Sequence, residues 1–296
     1  MELALYHPEV GYYRRARQRI GYTADTDFFT ASSSGPIFGE LVAAACTKLL
    51  QSAGRDPGRH VFVEIGAETR DGILCGVTHP FGAVRTQRLG EPLSLAGDCI
   101  VFSNELFDAQ PCVRSVFRGG RWRETGVELR GETLVEVELE SAPPYVPPTG
   151  TEGYRFDQPH AATALADSIA AQSWRGLFVA FDYGKTLREL SEESPGGTVR
   201  AYHRHTQTNE LLARAGEQDL TCHVCWDWIS DALRRHGFSE PALSFQEAFF
   251  IRNAGEFIAT ISAADAARFS RRKLSLLQLL HPSHLGQKFQ VLQALR

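Results

Sequence analysis

Ile100-Val101-Phe102-Ser103-Asn104-Glu105-Leu106-Phe107-Asp108-Ala109-Gln110-Pro111 is the stretch on which the fold turns. An apolar run suited to a buried strand stops abruptly at an amide and two carboxylates. Two other runs end in the same way. Val61-Phe62-Val63 leads into Glu64-Ile65-Gly66, and Leu177-Phe178-Val179-Ala180-Phe181 leads into Asp182-Tyr183-Gly184. Short continuous apolar runs suit strands buried on both faces of a parallel sheet. In open α/β sheets, ligands bind just outside the carboxyl ends of the strands. Three such strands delivering acids to one edge predict a polar, anionic cleft for a small molecule.

The chain has 296 residues, of which 43% are hydrophobic and 22% charged, enough for a full globular core. A formal charge of −4 argues against nucleic acid as the main partner. The arginine-rich pieces 14–19 and Arg271-Arg272-Lys273 read as solvated faces. No apolar run reaches the roughly eighteen residues of a membrane span, and Met1–Tyr13 lacks a signal-peptide pattern. Neither a membrane nor a secretory route is expected. The six cysteines (Cys46, Cys75, Cys99, Cys112, Cys222 and Cys225) lie mostly inside apolar runs and read as reduced core residues of a cytoplasmic protein. Cys222-His223-Val224-Cys225 has the spacing of a zinc half-site, but no second half-site accompanies it, so no metal is expected.

The remaining pattern organises the chain. Ser34 or Gly35 caps a helix that opens at Pro36, shows Ile37, Leu41, Ala45 and Leu49 on one face, and stops before Gly54. Val113–Arg118, Gly119-Gly120 and Arg121–Leu129 read as a β-hairpin. Thr133–Glu140 alternates apolar and acidic residues like a half-solvated strand, and Pro143-Pro144 with Pro147-Pro148 makes an extended linker. Helical patterns cover His160–Trp174, Trp226–His236, and stretches around Ser244–Asn253 and Ala263–Leu280; Thr221–Cys225 is strand-like. The expectation is a single α/β domain over 1–296, with an N-terminal helical extension (about 1–56) and insertions at about 112–150 and 185–220.

Several pieces together resemble the MidA family of class I S-adenosylmethionine-dependent methyltransferases, which includes the mitochondrial arginine methyltransferase needed for complex I assembly. Tyr6-His7-Pro8-Glu9-Val10-Gly11-Tyr12-Tyr13 resembles the family's opening Y-x-P-x-x-G-Y-Y. Asp27-Phe28-Phe29-Thr30-Ala31 through Phe38-Gly39-Glu40 resembles its second motif, and Asn104-Glu105 with Asp108-Ala109 and Pro111 matches its N-E-x-x-D-A-x-P. Asp182-Tyr183-Gly184, Arg200-Ala201-Tyr202 with His205, Asp219-Leu220-Thr221 and Leu285-Gly286-Gln287-Lys288-Phe289 match later motifs in order. The resemblance implies a Rossmann-like methyltransferase sheet with helices on both faces, an antiparallel β insertion and added helices. One loop departs from the family. Where it has E-I-G-P-G-x-G-x-L, this chain reads Glu64-Ile65-Gly66-Ala67-Glu68-Thr69-Arg70-Asp71-Gly72-Ile73-Leu74. The segment from Cys75 to Asp98 is also too short for both the helix and the second strand expected there, and Glu91 is the only nearby substitute for the ribose-binding acid.

The resemblance implies S-adenosylmethionine as cofactor, with Glu64, Gly66, Gly72, Asn104, Glu105 and Thr30 around it. It implies a protein substrate or partner, with arginine as acceptor and Phe28, Asp182, Tyr183 and Tyr202 on the substrate side. A guanidinium is fully charged, and paired carboxylates hold it by bidentate contacts. Glu105 and Asp108 are the candidate catalytic pair; three apart, they share a face only where a helix begins. The bland alternative makes Asn104 and Asp108 helix caps, with Glu105 paired to an arginine. Asp182 and Gly184 also suit a simple turn, Tyr183 and Tyr202 suit packing, and His203 and His205 read as structural or surface groups. The degenerate loop motivates a second functional reading: a non-catalytic relative that keeps the fold as a partner-binding or assembly module. A nicotinamide enzyme is disfavoured, since no G-x-G-x-x-G follows the first strand. The sequence leaves oligomeric state open, a homodimer included.

Overall fold

The run at residues 97–104 is an inner strand of a six-stranded sheet. The computed structural model describes residues 1–15, 26–27, 31–264 and 270–296. In chain order, α1 (Glu2–Tyr6) and α2 (Pro36–Ser52) precede β1 (Val61–Ile65), β2 (Ala83–Gln87) and β3 (Gly97–Asn104). An antiparallel run follows: β4 (Val113–Arg118), β5 (Arg121–Arg130), β6 (Thr133–Glu138) and β7 (Arg155–Gln158). Next come α3 (His160–Ala170), β8 (Trp174–Asp182), β9 (Gly184–Lys185), α4 (Leu187–Glu192), β10 (Arg200–His203), β11 (Thr206–Thr208), β12 (Asp219–Thr221) and β13 (Val224–Cys225). The chain closes with α5 (Trp226–Arg235), β14 (Ala242–Phe245), α6 (Gln246–Ala264), α7 (Arg271–Leu280) and β15 (Gln290–Leu295). Among the described residues, no helix is long and apolar enough to cross a membrane.

Contacts divide the chain into two compact units. Unit 1 comprises Met1–Phe29, Phe107–Leu165 and Gly184–Ile229; unit 2 comprises Thr30–Leu106, Ala166–Tyr183 and Ser230–Arg296.

Unit 2 holds the six-stranded sheet, in the order β14-β15-β8-β3-β1-β2. The four strands from β8 to β2 are parallel; β15 runs antiparallel to β8, and β14 antiparallel to β15. Phe62, Ile100, Phe102, Leu177, Val179 and Phe181 pack into one core with Phe38 and Leu41 of α2 and Phe249 and Phe250 of α6. Ring centroids lie 5.5 Å apart for Phe38–Phe181 and 5.3 Å for Phe181–Phe249. The alternate residues Val63, Val101, Phe178 and Ala180 are buried too, and Phe178 meets Phe238, just beyond α5. Both faces are covered, which is why these strands read as unbroken apolar runs. Gly35, in a left-handed conformation (φ 80°), leads into α2 with Pro36 in the first turn, as the sequence anticipates.

Several local expectations are corrected. The helical pattern at Ser244–Asn253 begins as strand: Leu243 pairs with Leu292 and Phe245 with Gln290, and α6 starts only at Gln246. Tertiary pairing overrides local periodicity there. The helix expected over His160–Trp174 stops at Ala170, and Trp174 already belongs to β8. In the short segment after β1, the second strand survives as β2 and the intervening helix is absent.

Unit 1 contains a four-stranded antiparallel sheet of its own, β6-β5-β4-β7, plus β11-β10-β12 and the pair β13-β9. The expected hairpin is β4/β5. Gly119 and Gly120 both have positive φ (59° and 75°), matching a tight turn whose twist suits the flanking strands.

Gly39 of α2 faces loop backbone: a Cβ built there lies 2.0 Å from the Ile73 carbonyl oxygen. Gly39→Ala raises intrinsic helix propensity yet is expected to lower stability by about 1–3 kcal/mol through overpacking. Urea unfolding checks this; a variant at least as stable as the parent contradicts it.

Candidate functional site

The parallel register levels the strand ends of unit 2. Ile65 of β1 pairs with Ser103 of β3, and Asn104 pairs with Phe181 of β8. Glu64, Asn104, Glu105 and Asp182 are therefore brought to the same carboxyl edge of three adjoining strands.

Ser103 and Asn104 are buried, and among the described residues Ser103 Oγ and Asn104 Oδ1 have no hydrogen-bond partner. Buried polar atoms are normally satisfied, so orphans at a strand end are candidates for contact with a polar ligand. The Asn104 side-chain amide donates to Glu105 Oε1 at 3.1 Å. Glu105 has φ 51°, the left-handed region that a non-glycine residue adopts at a cost, and its N–H donates to the Phe181 carbonyl at 2.9 Å. That bond ties the turn after β3 to the end of β8. Asp182 is fully buried and accepts the Tyr183 N–H, while the Tyr183 ring packs on Phe289 with centroids 4.2 Å apart.

The loop after β1 folds back on its own acid. Gly66 (φ 77°) turns the chain beside Leu106: a Cβ there would lie 2.7 Å from the leucine Cδ1. Its N–H donates to the Gln87 carbonyl at 2.8 Å, fastening the loop to the end of β2. Gly72 (φ 68°) passes so close to Glu64 that a Cβ would sit 2.4 Å from Oε2. This brings the Ile73 N–H to the same oxygen at 2.8 Å. Burial, reinforced by Glu68 and opposed by the Ile73 hydrogen bond, pushes the Glu64 carboxyl up to about 7. Glu91 does not end a strand; it accepts the Arg88 N–H in the turn after β2.

In unit 1, no helix follows Asp108. Residues 105–112 are turns and bends leading to β4, so the capping alternative and the shared helical face both lapse. Asp108 is buried, and its carbonyl accepts the Cys222 N–H at 2.8 Å. Its carboxylate acts on Tyr6 and Tyr13, whose phenols are raised by burial first and by Asp219 second, with Asp108 adding a smaller push to both. These tyrosines are stacked (5.5 Å), Tyr13 donates to Asp219 Oδ1 at 2.9 Å, and Tyr6 donates to the Ala109 carbonyl. Tyr12 donates to buried Asp27 at 2.7 Å. Asp27 also accepts the Arg204 N–H with its carboxylate and the His205 N–H with its carbonyl. It thereby holds a turn in which two successive non-glycine residues have positive φ (47° and 62°). The separated sequence motifs at 6–13, 27, 108–109, 202–205 and 219 thus gather in one cluster. Their convergence was not legible beforehand, although each fragment was visible. Tyr202 belongs to β10 and donates to Gln207 at 3.0 Å. Phe28 and Thr30 lie outside the described residues.

A family model described as "Putative S-adenosyl-L-methionine-dependent methyltransferase" matches residues 85–241, over half of the chain. The chain belongs to this methyltransferase family. The methyltransferase match includes the 104–111 motif, Asp182, Tyr202 and Asp219, and begins after the loop at 64–74. The whole chain also aligns with a crystal structure of a COG1565 superfamily member from Burkholderia thailandensis bound to S-adenosyl-homocysteine. Identity is 23%, the TM-score is 0.84, and the alignment covers 100% of this chain and 86% of that one. A native crystal structure of an uncharacterized COG1565 superfamily protein from the same organism gives 22% identity and a TM-score of 0.80, covering 100% and 85%. At such identities the likeness is one of fold. No curated protein matches the chain by sequence.

The raised Glu64 carboxyl has a sign that can be measured. Between its ordinary value of 4.5 and about 7, it holds a proton more often in the folded than in the unfolded chain. Folding takes up that proton, so this group's contribution is lost as pH rises through the interval, by about 3 kcal/mol in all. Glu64→Gln is expected to remove that slope from urea-unfolding free energies collected between pH 4.5 and 8; an unchanged slope contradicts the assignment.

Proposed function

We propose that this methyltransferase-family protein binds S-adenosylmethionine at the carboxyl edge of β1 and β3 and methylates an arginine side chain of a protein. The observation that carries the reading is the pair of orphaned buried atoms, Ser103 Oγ and Asn104 Oδ1, beside the strained Glu105. Polar atoms kept dry without a partner suit the hydroxyl and amino groups of an adenosyl ligand. Asn104 and Glu64 are the residues we assign to holding it. Gly66 and Gly72 supply backbone turns that a side chain would obstruct. When bound, S-adenosylmethionine supplies a methyl group already activated on a sulfonium. The protein then has to place the acceptor in line at near-attack distance. Glu105 is the carboxylate we assign to the acceptor guanidinium, held by a fixed turn. The arginine acceptor follows from the MidA resemblance, whose motif supplies Glu105.

A second reading, a partner-binding module without catalysis, is favoured by one observation. The Glu64 carboxylate already accepts the Ile73 N–H, from a loop that has lost most family glycines.

Titration calorimetry with S-adenosylmethionine separates the two. Saturable binding is expected, weakened roughly tenfold in Asn104→Ala. Absence of heat at millimolar ligand rules out the enzyme and leaves the module. With a labelled methyl donor and candidate proteins, the label is expected on methylarginine after hydrolysis, and recovery on another residue type overturns the acceptor assignment.

A further inference from the structure

A cavity of about 660 Å³ lies wholly within unit 1. Its wall contains three arginines: Arg114 on β4, Arg155 on β7 and Arg200 at the start of β10. Two of them are already neutralised. Arg114 grips Asp157 side-on, with Nε 2.7 Å from Oδ1 and Nη2 3.3 Å from Oδ2. Arg155 pairs with Glu136 at 2.5 Å, and the same glutamate lies 3.8 Å from Arg114. Asp157 is held by the backbone as well. Its Oδ2 also takes the N–H groups of Thr198 and Val199, and a Cβ on Gly197 would stand 2.3 Å from it.

Arg200 differs. It is half-buried, and among the described residues no carboxylate lies within ion-pair distance of it. Only its Nη1 is engaged, donating to the carbonyls of Gly197 (3.2 Å) and Val199 (2.8 Å). Those bonds fix the guanidinium plane and leave Nε and Nη2 on the other edge. That edge is the fork which matches a carboxylate by two parallel hydrogen bonds, and Arg114 displays the same fork on Asp157 in the same wall. Beside Arg200 the lining is aliphatic, with Val199, Leu211 and Leu212. The volume falls in the range of small-ligand sites. Glu136 and Glu210 also line the cavity and count against a dianion such as phosphate; Glu136 is taken up by Arg155, and Glu210 is exposed and makes no ion pair with Arg200, whose fork is left for a single carboxylate.

We propose that this cavity is a binding site for a carboxylate carried on a short aliphatic peptide segment, with Arg200 as its fork and Val199, Leu211 and Leu212 as its apolar floor. The carboxylate is either a chain terminus or an acidic side chain. Carboxylate binding there is tested without the cofactor.

Three probes distinguish the sources: N-acetyl-Leu-Leu as the free acid, the same dipeptide as its amide, and N-acetyl-Leu-Glu-Leu amide. Binding is read by NMR titration of the full-length protein. At least one carboxylate probe is expected to shift resonances of residues 195–213 and to bind about tenfold more tightly than the dipeptide amide. Preference for the dipeptide acid identifies a chain terminus; preference for the glutamyl peptide identifies an acidic side chain. Arg200→Met is expected to abolish that advantage, and Arg200→Lys, which keeps charge without the fork, to lose most of it. Equal affinity for acid and amide, shifts confined to other regions, or a carboxylate advantage that survives in a folded Arg200→Met overturns the proposal. The acid-to-amide comparison uses the unaltered protein, so it decides even where a variant fails to fold.

Discussion

The burial of β3 on both faces, between parallel β1 and β8, is the constraint from which the rest follows. An interior strand with no exposed side can present polar groups only where it stops. In β3 that point is Ser103-Asn104, and the pairing with Ile65 and Phe181 sets it level with the ends of both neighbours. A slip of one residue would exchange Phe102 for Val101 on the face that meets α2 and α6, where Phe38, Phe249 and Phe250 have been shaped around aromatic rings. Core packing therefore fixes register, and register fixes where the polar edge lies.

Within each unit, buried charge is handled by a different means. Glu64 lies under its own loop, which the glycine at 72 allows to approach, and the carboxyl responds by holding its proton into the neutral range. Asp27 and Asp219 instead accept hydrogen bonds from the phenol groups of Tyr12 and Tyr13, so the cost of burying each carboxylate is offset by a strong donor. Asp157 takes an arginine fork and two backbone N–H groups. Each arrangement leaves a carboxylate in a defined place, and each depends on residues distant in sequence or on a glycine at one position.

What the sequence discloses follows from how local the physical cause is. The parallel core strands, the Gly119-Gly120 hairpin and α2 rest on short-range signals: unbroken apolar runs, two glycines between strands, proline after glycine at a helix start. β14 and β15 carry no such signal. Gln290–Leu295 is built of residues that serve a helix equally well, and becomes strand because β8 and β14 flank it. At the candidate site, the acids at the strand ends were visible because each terminates an apolar run. The tyrosine–carboxylate cluster was not, because its members come from five separate stretches and meet only through tertiary structure. The orphaned atoms of Ser103 and Asn104 were equally invisible, since a missing partner is a property of the surroundings.

The connection from β1 to β2 contains no helix, and this sets the electrostatic character of the edge it borders. A helix starting after the first strand would aim its positive dipole end at a ligand and favour phosphates, as dinucleotide-binding folds do. Residues 66–82 form turns and bends, with an acid tucked beneath them. Without that positive pole, pyrophosphate-bearing cofactors lose their usual anchor. A ligand with a formal positive charge on sulfur has no need of it.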